Sequence, residues 1–278
     1  MIQWDGVSKR YGKGDPPAVD GVSLSVERGE MLVMVGESGS GKTTLLKMVN
    51  RLVEPDAGTG GVVRVGGKDV SKVSAEELRR GMGYVIQSVG LLPHWTVAEN
   101  VGAVPGLLGW DRKRVERRVG EVLETVGLEA GLRGRLPSEL SGGQRQRVGV
   151  ARALAGQVGG AGVLLMDEPF GAVDPINRGA LRERVRGLHD ELGLTSVLVT
   201  HDMGEALLLA DRLAVVRGGK VLRVGTPAEV VADPGDPYVA ELVSAPEREA
   251  RRLAGLWAGR PVASDRAKRG DGEGVIDE

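Results

Sequence analysis

Four short stretches of this chain carry residue types that could do chemistry. The first is Gly36-Glu37-Ser38-Gly39-Ser40-Gly41-Lys42-Thr43-Thr44, which meets the pattern G-x-x-x-x-G-K-[ST] in full. Glycines let the backbone curl so that successive N–H groups face one centre, and a helix starting there adds the positive end of its dipole. Lys42 brings a full positive charge for phosphate oxygens, and Thr43 brings a hydroxyl suited to Mg²⁺. The second is Asp167-Glu168, two carboxylates at the end of the apolar run Val163-Leu164-Leu165-Met166. Asp167 could hold a hard cation opposite Thr43, and Glu168 could orient or deprotonate an attacking water. The third is Leu140-Ser141-Gly142-Gly143-Gln144, where a good N-cap precedes two glycines at a helix start. That is a second anion site, which one nucleotide does not need, so it is expected to serve the nucleotide of another subunit. The fourth is His201, directly after Ser196-Val197-Leu198-Val199-Thr200 and before Asp202.

The elements that must position these residues follow from the patterning. Met31 to Val35 reads as a buried strand and Leu45 to Val49 has helical composition, so strand, glycine-rich loop and helix occur in the order a phosphate-binding loop needs. Val22 to Val26 alternates with a period of two. Val62 to Val65, Met82 to Ile86, Val163 to Glu168 and Ser196 to Thr200 read as further strands, and Leu213–Val216 with Val221–Val224 flank the hairpin signal Arg217-Gly218-Gly219-Lys220. Ser74-Ala75-Glu76-Glu77 is a helix start. Strand signals disappear from about 96 to 158. Arg112 to Val126 is a charged helix with Val115, Val119, Val122 and Val126 on one stripe, and Arg145 to Leu154 and Arg178 to Leu192 read as helices. Alternating strands and helices predict an α/β fold with a mainly parallel sheet, an N-terminal antiparallel β part and an inserted helical subdomain. Ligands of such sheets bind at the carboxyl ends of the strands, where Gly36, Gln87, Asp167 and His201 all fall.

Composition narrows the function classes. The 278 residues allow one large domain with an appendage, and with 41% apolar and 3% aromatic residues the core must be aliphatic. Basic and acidic residues balance at 37 and 38, which gives nucleic acid no electrostatic footprint. The absence of cysteine excludes disulfides, a thiol nucleophile and thiolate metal sites, and fits a cytosolic protein. No segment approaches the ~18 apolar residues of a membrane span, and the N-terminus lacks a secretory pattern, so a membrane role must come through a partner. The glycine-rich loop Gln157 to Gly162 is expected at the surface, and the last ten or so residues are expected to be disordered.

LSGGQ after a phosphate loop, with Asp-Glu ending a later strand, resembles the ATP-binding cassette (ABC) family over nearly all of residues 1–240. The resemblance implies that Tyr11 stacks on adenine and that Gly36, Glu37, Ser38, Gly39, Ser40, Gly41, Lys42, Thr43 and Thr44 form the Walker A loop. Gln87 touches Mg²⁺ with Thr43 and Asp167 and faces the membrane partner. Ser141, Gly142, Gly143 and Gln144 form the signature, and Asp174 lies in the D-loop. Glu168 is the catalytic base, and His201 contacts the γ-phosphate. It implies ATP and Mg²⁺ as cofactors, and a head-to-tail homodimer, or a pairing with a similar cassette, that closes on two ATP. Residues 1–244 would be the ATPase domain and 245–278 a helical, then disordered, tail, in which Leu253, Leu256 and Trp257 could cover the cassette or a dimer partner. A single cassette without a membrane segment is similar to bacterial importer subunits, which work peripherally on the cytoplasmic face of the membrane with permease subunits and, indirectly, an extracytoplasmic solute-binding protein; no nucleic acid is expected. Gly83 to His94, Val148 to Leu154 and Met166 to Pro175 resemble the osmoprotectant branch, which imports glycine betaine, choline, carnitine and related quaternary amines. Only about thirty residues follow Ala245, too few for the regulatory domains many of that branch carry. The alternatives are an importer ATPase for another small solute such as an amino acid, a soluble ABC ATPase without a transport role, and a nucleotide-binding module without turnover.

Overall fold

The computed structural model describes residues 1–87, 90–157 and 162–258. Most of the glycine-rich loop before Val163 and the expected disordered terminus lie outside them.

Three strands are buried along their whole length: β3 (Met31–Val35), β7 (Val163–Asp167) and β8 (Thr195–Thr200). Near-continuous aliphatic runs of this kind suit a sheet covered on both faces. They form the centre of a six-stranded sheet in the order β10-β9-β3-β8-β7-β6, completed by β6 (Met82–Val85), β9 (Arg212–Arg217) and β10 (Lys220–Gly225). All neighbours are parallel except β10, which returns on β9 through the hairpin at Gly218 and Gly219, both with positive φ. A second, antiparallel sheet takes the order β2-β1-β4-β5, from β1 (Ile2–Lys9), β2 (Val19–Val26), β4 (Val62–Val65) and β5 (Lys68–Asp69). The aliphatic core of the two sheets meets around α1 (Lys42–Val49), where Trp4 is buried and its indole N–H donates to the Leu45 carbonyl.

The helical insertion consists of α3 (Val97–Leu107), α4 (Arg112–Thr125) and α5 (Gly142–Ala155), after the short α2 (Ala75–Arg80), which Ser74 caps. Val119, Val122 and Val126 are buried on the predicted stripe, with Val115 half-buried against them. Three helices begin earlier than their composition predicts: α1 starts at Lys42 rather than Leu45, and two later ones start early because of their caps. α5 starts at Gly142 rather than Arg145, because Ser141 and Gln144 form a capping box that offsets the poor helix propensity of two glycines. α6 (Pro175–Leu192) starts three residues before Arg178, because Asp174 caps it and Pro175 occupies its first turn, where a missing N–H costs nothing. Two strands end one residue sooner than expected: β6 stops at Val85 rather than Ile86, and Glu168 is not the last residue of β7 but has left it with φ 47°. After α7 (Met203–Leu209) and α8 (Pro227–Ala232), α9 runs unbroken from Pro237 to Ala258, across Ala245 and through Pro246, with Leu253 and Leu256 exposed. No helix among the described residues is long and apolar enough to cross a membrane.

Candidate nucleotide site

The phosphate loop leaves β3 at its carboxyl end and enters α1 without a side-chain cap, because the N-cap residue is Gly41. Two of its glycines are required by close approach as well as by φ. A Cβ on Gly36 would collide with the Val216 carbonyl oxygen, and one on Gly41 with that of Ala18. The loop is thus held between β9 and the start of β2. Lys42 curls back over it: Nζ donates to Gly36 O at 2.8 Å, Glu37 O at 2.6 Å and Ser40 Oγ at 3.1 Å. Burial lowers the Lys42 pKa, against the raising effect of Glu168, Asp167 and Glu37.

Parallel pairing of β3 with β8 and of β8 with β7 brings three strand ends together. Thr43 Oγ1 donates to Asp167 Oδ1 at 2.8 Å. Asp167 is buried, which pushes its carboxyl up, while the Thr43 hydroxyl and the charges of Lys47 and Lys42 pull the other way. Glu168 turns out of the strand in the left-handed region, its N–H donating to Val199 O at 2.9 Å. Its carboxylate gathers two partners: Gln87 Nε2 donates to Oε2 at 3.2 Å, and His201 Nδ1 lies 3.3 Å from Oε1. A backbone strained at such a position persists only where its surroundings fix it, and here it aims the carboxylate between Gln87 and His201.

A cavity of about 410 Å³ lies over this assembly, lined by Tyr11, Ala18, the loop from Ser38 to Thr44, Gln87 and Glu168. Tyr11 is largely exposed, with its hydroxyl 3.2 Å from Thr44 Oγ1, so its ring stands free at the cavity edge. Tyr11, Gln87, Asp167, Glu168 and His201 therefore gather around the loop. Ser141 to Gln144 and Asp174 do not line the cavity. Ser141 Oγ accepts from Gln144 N at 3.2 Å and Gln144 Oε1 from Ser141 N at 2.8 Å, which orders the α5 N-terminus. Gly143 approaches Ala172 and Asp174, so the Ser-Gly-Gly-Gln turn and the Asp174 loop form one surface. Asp174 itself accepts from Asn177 N and Nδ2, which lowers its pKa.

Two contributors were not anticipated from the sequence. The Ala18 carbonyl has no side-chain signature. Gln146 does: it shares a helix face with Val150 and Ala153, and a polar residue on an apolar face must find a partner. It is 1% exposed, and its Nε2 donates to Pro169 O at 2.9 Å, directly after Glu168.

A family model described as ABC transporter matches residues 19–171, from β2 through the phosphate loop and the Ser-Gly-Gly-Gln turn to Glu168. The chain belongs to the ABC transporter family. This ABC chain is 46% identical over its whole length to the glycine betaine uptake system ATP-binding protein YehX of Escherichia coli, and the match covers 87% of that protein. It is 43% identical, over 87% of its length, to the carnitine transport ATP-binding protein OpuCA of Listeria monocytogenes, of which the match spans only 59%. Among solved structures it is similar to the ATP-binding cassette MJ0796, a dimer in a post-hydrolysis state bound to ADP and Pi, with TM-score 0.73 and 32% identity over 82% of this chain and 99% of that one. The ABC fold inferred from motif order is thus the fold observed.

The donor set fits nucleotide and cation. Two close-packed glycines leave the loop backbone bare, as a phosphate cradle requires, and Thr43 Oγ1 with the buried Asp167 carboxylate supplies the hard oxygens that Mg²⁺ prefers.

Proposed function

We propose that this chain is the ATP-hydrolysing subunit of a bacterial importer for a quaternary amine such as glycine betaine, choline or carnitine, acting at the cytoplasmic face of the membrane. The observation that carries the ATPase reading is the convergence of Gln87 and His201 on one Glu168 carboxylate beside the phosphate loop. The solute class rests on the relatives named for glycine betaine and carnitine.

In this reading the loop amides and the Lys42 ammonium hold the phosphates, and Lys42 keeps Gly36 O while it trades Glu37 O and Ser40 Oγ for phosphate oxygens. Thr43, Asp167 and Gln87 would hold Mg²⁺, which would supply positive charge beside the phosphates. Glu168 accepts the proton of the attacking water as its oxygen bonds to the γ-phosphorus and the bond to ADP breaks. His201 holds the Glu168 carboxylate in place and contacts the γ-phosphate, and the Tyr11 ring stacks on the base. Ser141 to Gln144 do not line the cavity of their own chain, which supports a head-to-tail dimer in which they cover the partner's nucleotide. Isolated monomers then bind ATP but hydrolyse it slowly. A largely apolar groove of about 650 Å³ between α3 and α4, lined in part by Trp95, is built from the helices that follow Gln87 in the chain and supports permease docking on this side.

The test is uptake of labelled glycine betaine, choline and carnitine at high osmolarity in a host lacking the chain, complemented by wild type or Lys42→Ala. Wild type should restore uptake of at least one solute and the variant none. Restored uptake of an amino acid instead would overturn the solute class, and ATPase activity without any transport would overturn the importer.

A further inference from the structure

The phosphate loop has a support outside the strand and helix that flank it. The Glu37 N–H donates to the Tyr238 hydroxyl at 3.2 Å. The carbonyl of that same peptide unit, Gly36 O, accepts from Lys42 Nζ at 2.8 Å. One rigid peptide plane is therefore held at both ends, by an ammonium on one side and a phenol on the other. Its orientation would otherwise be loose, because Gly36 carries no Cβ to restrict it.

Tyr238 is itself well fixed. It is the second residue of α9, where the Asp236 carboxylate accepts from its N–H at 2.8 Å and the Asp236 carbonyl accepts from Ala240 N at 3.0 Å. The next residue, Val239, is fully buried in the main core, so the helix start cannot drift. Arg217, at the end of β9, places its guanidinium 4.2 Å from the centre of the Tyr238 ring and 3.5 Å from the Glu37 carboxylate. A cation over the ring face and an ion pair from the same side chain lock the ring against the loop. Burial also raises the hydroxyl's pKa, so it stays protonated at neutral pH.

We infer that Tyr238 is a positioning residue for nucleotide binding: its hydroxyl fixes the Gly36–Glu37 peptide, and through that carbonyl the resting place of the Lys42 ammonium. The inference rests on Lys42 being the phosphate ligand proposed above. It makes the start of α9 part of the nucleotide site, though Tyr238 need not touch the ligand.

The test compares wild type, Tyr238→Phe, Arg217→Gln and Lys42→Ala as full chains, with affinities for ATP and AMP read by competition against a fluorescent nucleotide. Phe keeps the ring and its packing and removes one hydrogen bond, so ATP affinity should fall about threefold to tenfold. AMP affinity should not change, because AMP lacks the β- and γ-phosphates that Lys42 reaches. Arg217→Gln should shift ATP binding in the same direction but less. The Glu37 amide resonance should move and its hydrogen exchange should quicken in Tyr238→Phe, which reads the bond directly. An unchanged Glu37 amide, or equal losses for ATP and AMP, would overturn the inference. If Lys42→Ala left ATP binding intact, the phosphate-loop reading itself would fall; loss in that variant with no effect of Tyr238→Phe would sink only the role of the tyrosine.

Discussion

Glu168 is the one functional residue whose backbone conformation works against its side chain, and that conflict can be measured. Its φ of 47° lies in the left-handed region, which costs a non-glycine residue about 1–2 kcal/mol. Glu168→Gln keeps that cost, and Glu168→Gly removes it. Glycine gives back about 0.5–1 kcal/mol through the freedom it adds to the unfolded chain. The contacts of Glu168 with Gln87 and His201 lie at the cavity wall and are long, at 3.2 and 3.3 Å, so they add little. The difference leaves Glu168→Gly as stable as Glu168→Gln or more so, by about 0–1.5 kcal/mol, which is up to roughly 6 °C in Tm for a chain of this size. Both variants lose the carboxylate proposed as the general base, so turnover with the proposed membrane partner should fall about 10²-fold or more in each. Thermal unfolding of the two variants without nucleotide, set beside phosphate release, makes the comparison. A glycine variant that melts clearly below the glutamine one would show that the left-handed turn carries no strain. Turnover near wild type in Glu168→Gln would remove Glu168 as the base.

Other outcomes follow from single contacts. Gln146→Leu fills the same buried space but leaves the Pro169 carbonyl without its 2.9 Å partner. Because it also removes Gln146 Oε1, which is buried without a partner, it should destabilise by only about 0.5–1.5 kcal/mol in a denaturant titration, and turnover should drop as Glu168 loosens. Gly41→Ala would press a methyl into the Ala18 carbonyl, and its ATP affinity in a nucleotide titration should be largely lost. His189 is buried with Nδ1 2.8 Å from Ser196 Oγ, and burial first, then Arg186, lowers its pKa. Its folded value lies below its unfolded value, so the unfolded chain takes up more protons in acid. Its contribution is complete above the unfolded value of about 6.5 and is lost as pH falls through the folded one. A Tm measured against pH should lose part of that slope in His189→Gln.

Much of this arrangement was legible in the residues, and what was not has physical causes. Continuous aliphatic runs made β3, β7 and β8 readable as buried parallel strands, and the phosphate loop was legible because its pattern sits between one of them and a helix. The starts of α5 and α6 were misplaced because glycine and proline depress helix propensity in the interior, whereas at a first turn a capping side chain decides. Glu168 read as a strand residue because nothing in its type announces a positive φ. The convergence of Gln87 and His201 on its carboxylate depends on strand order, which joins residues 81 and 33 positions away in the chain. The hold on the Gly36–Glu37 peptide was invisible for the same reason, since Tyr238 lies 201 positions from Glu37.

Helix α5 presents Ser141 to Gln144 outward at its first turn and, two residues further on, grips the backbone beside Glu168 through Gln146. Two residues of helix rise about 3 Å. The part of the chain that would sense a neighbour's nucleotide and the part that anchors the backbone beside its own Glu168 are thus almost the same rigid body. In a head-to-tail pair, a tilt of α5 as one site closes or empties would be felt at the other site's chemistry without passing through the sheet. Such a pair would keep time with itself, each half reporting its occupancy to the other along a single helical turn.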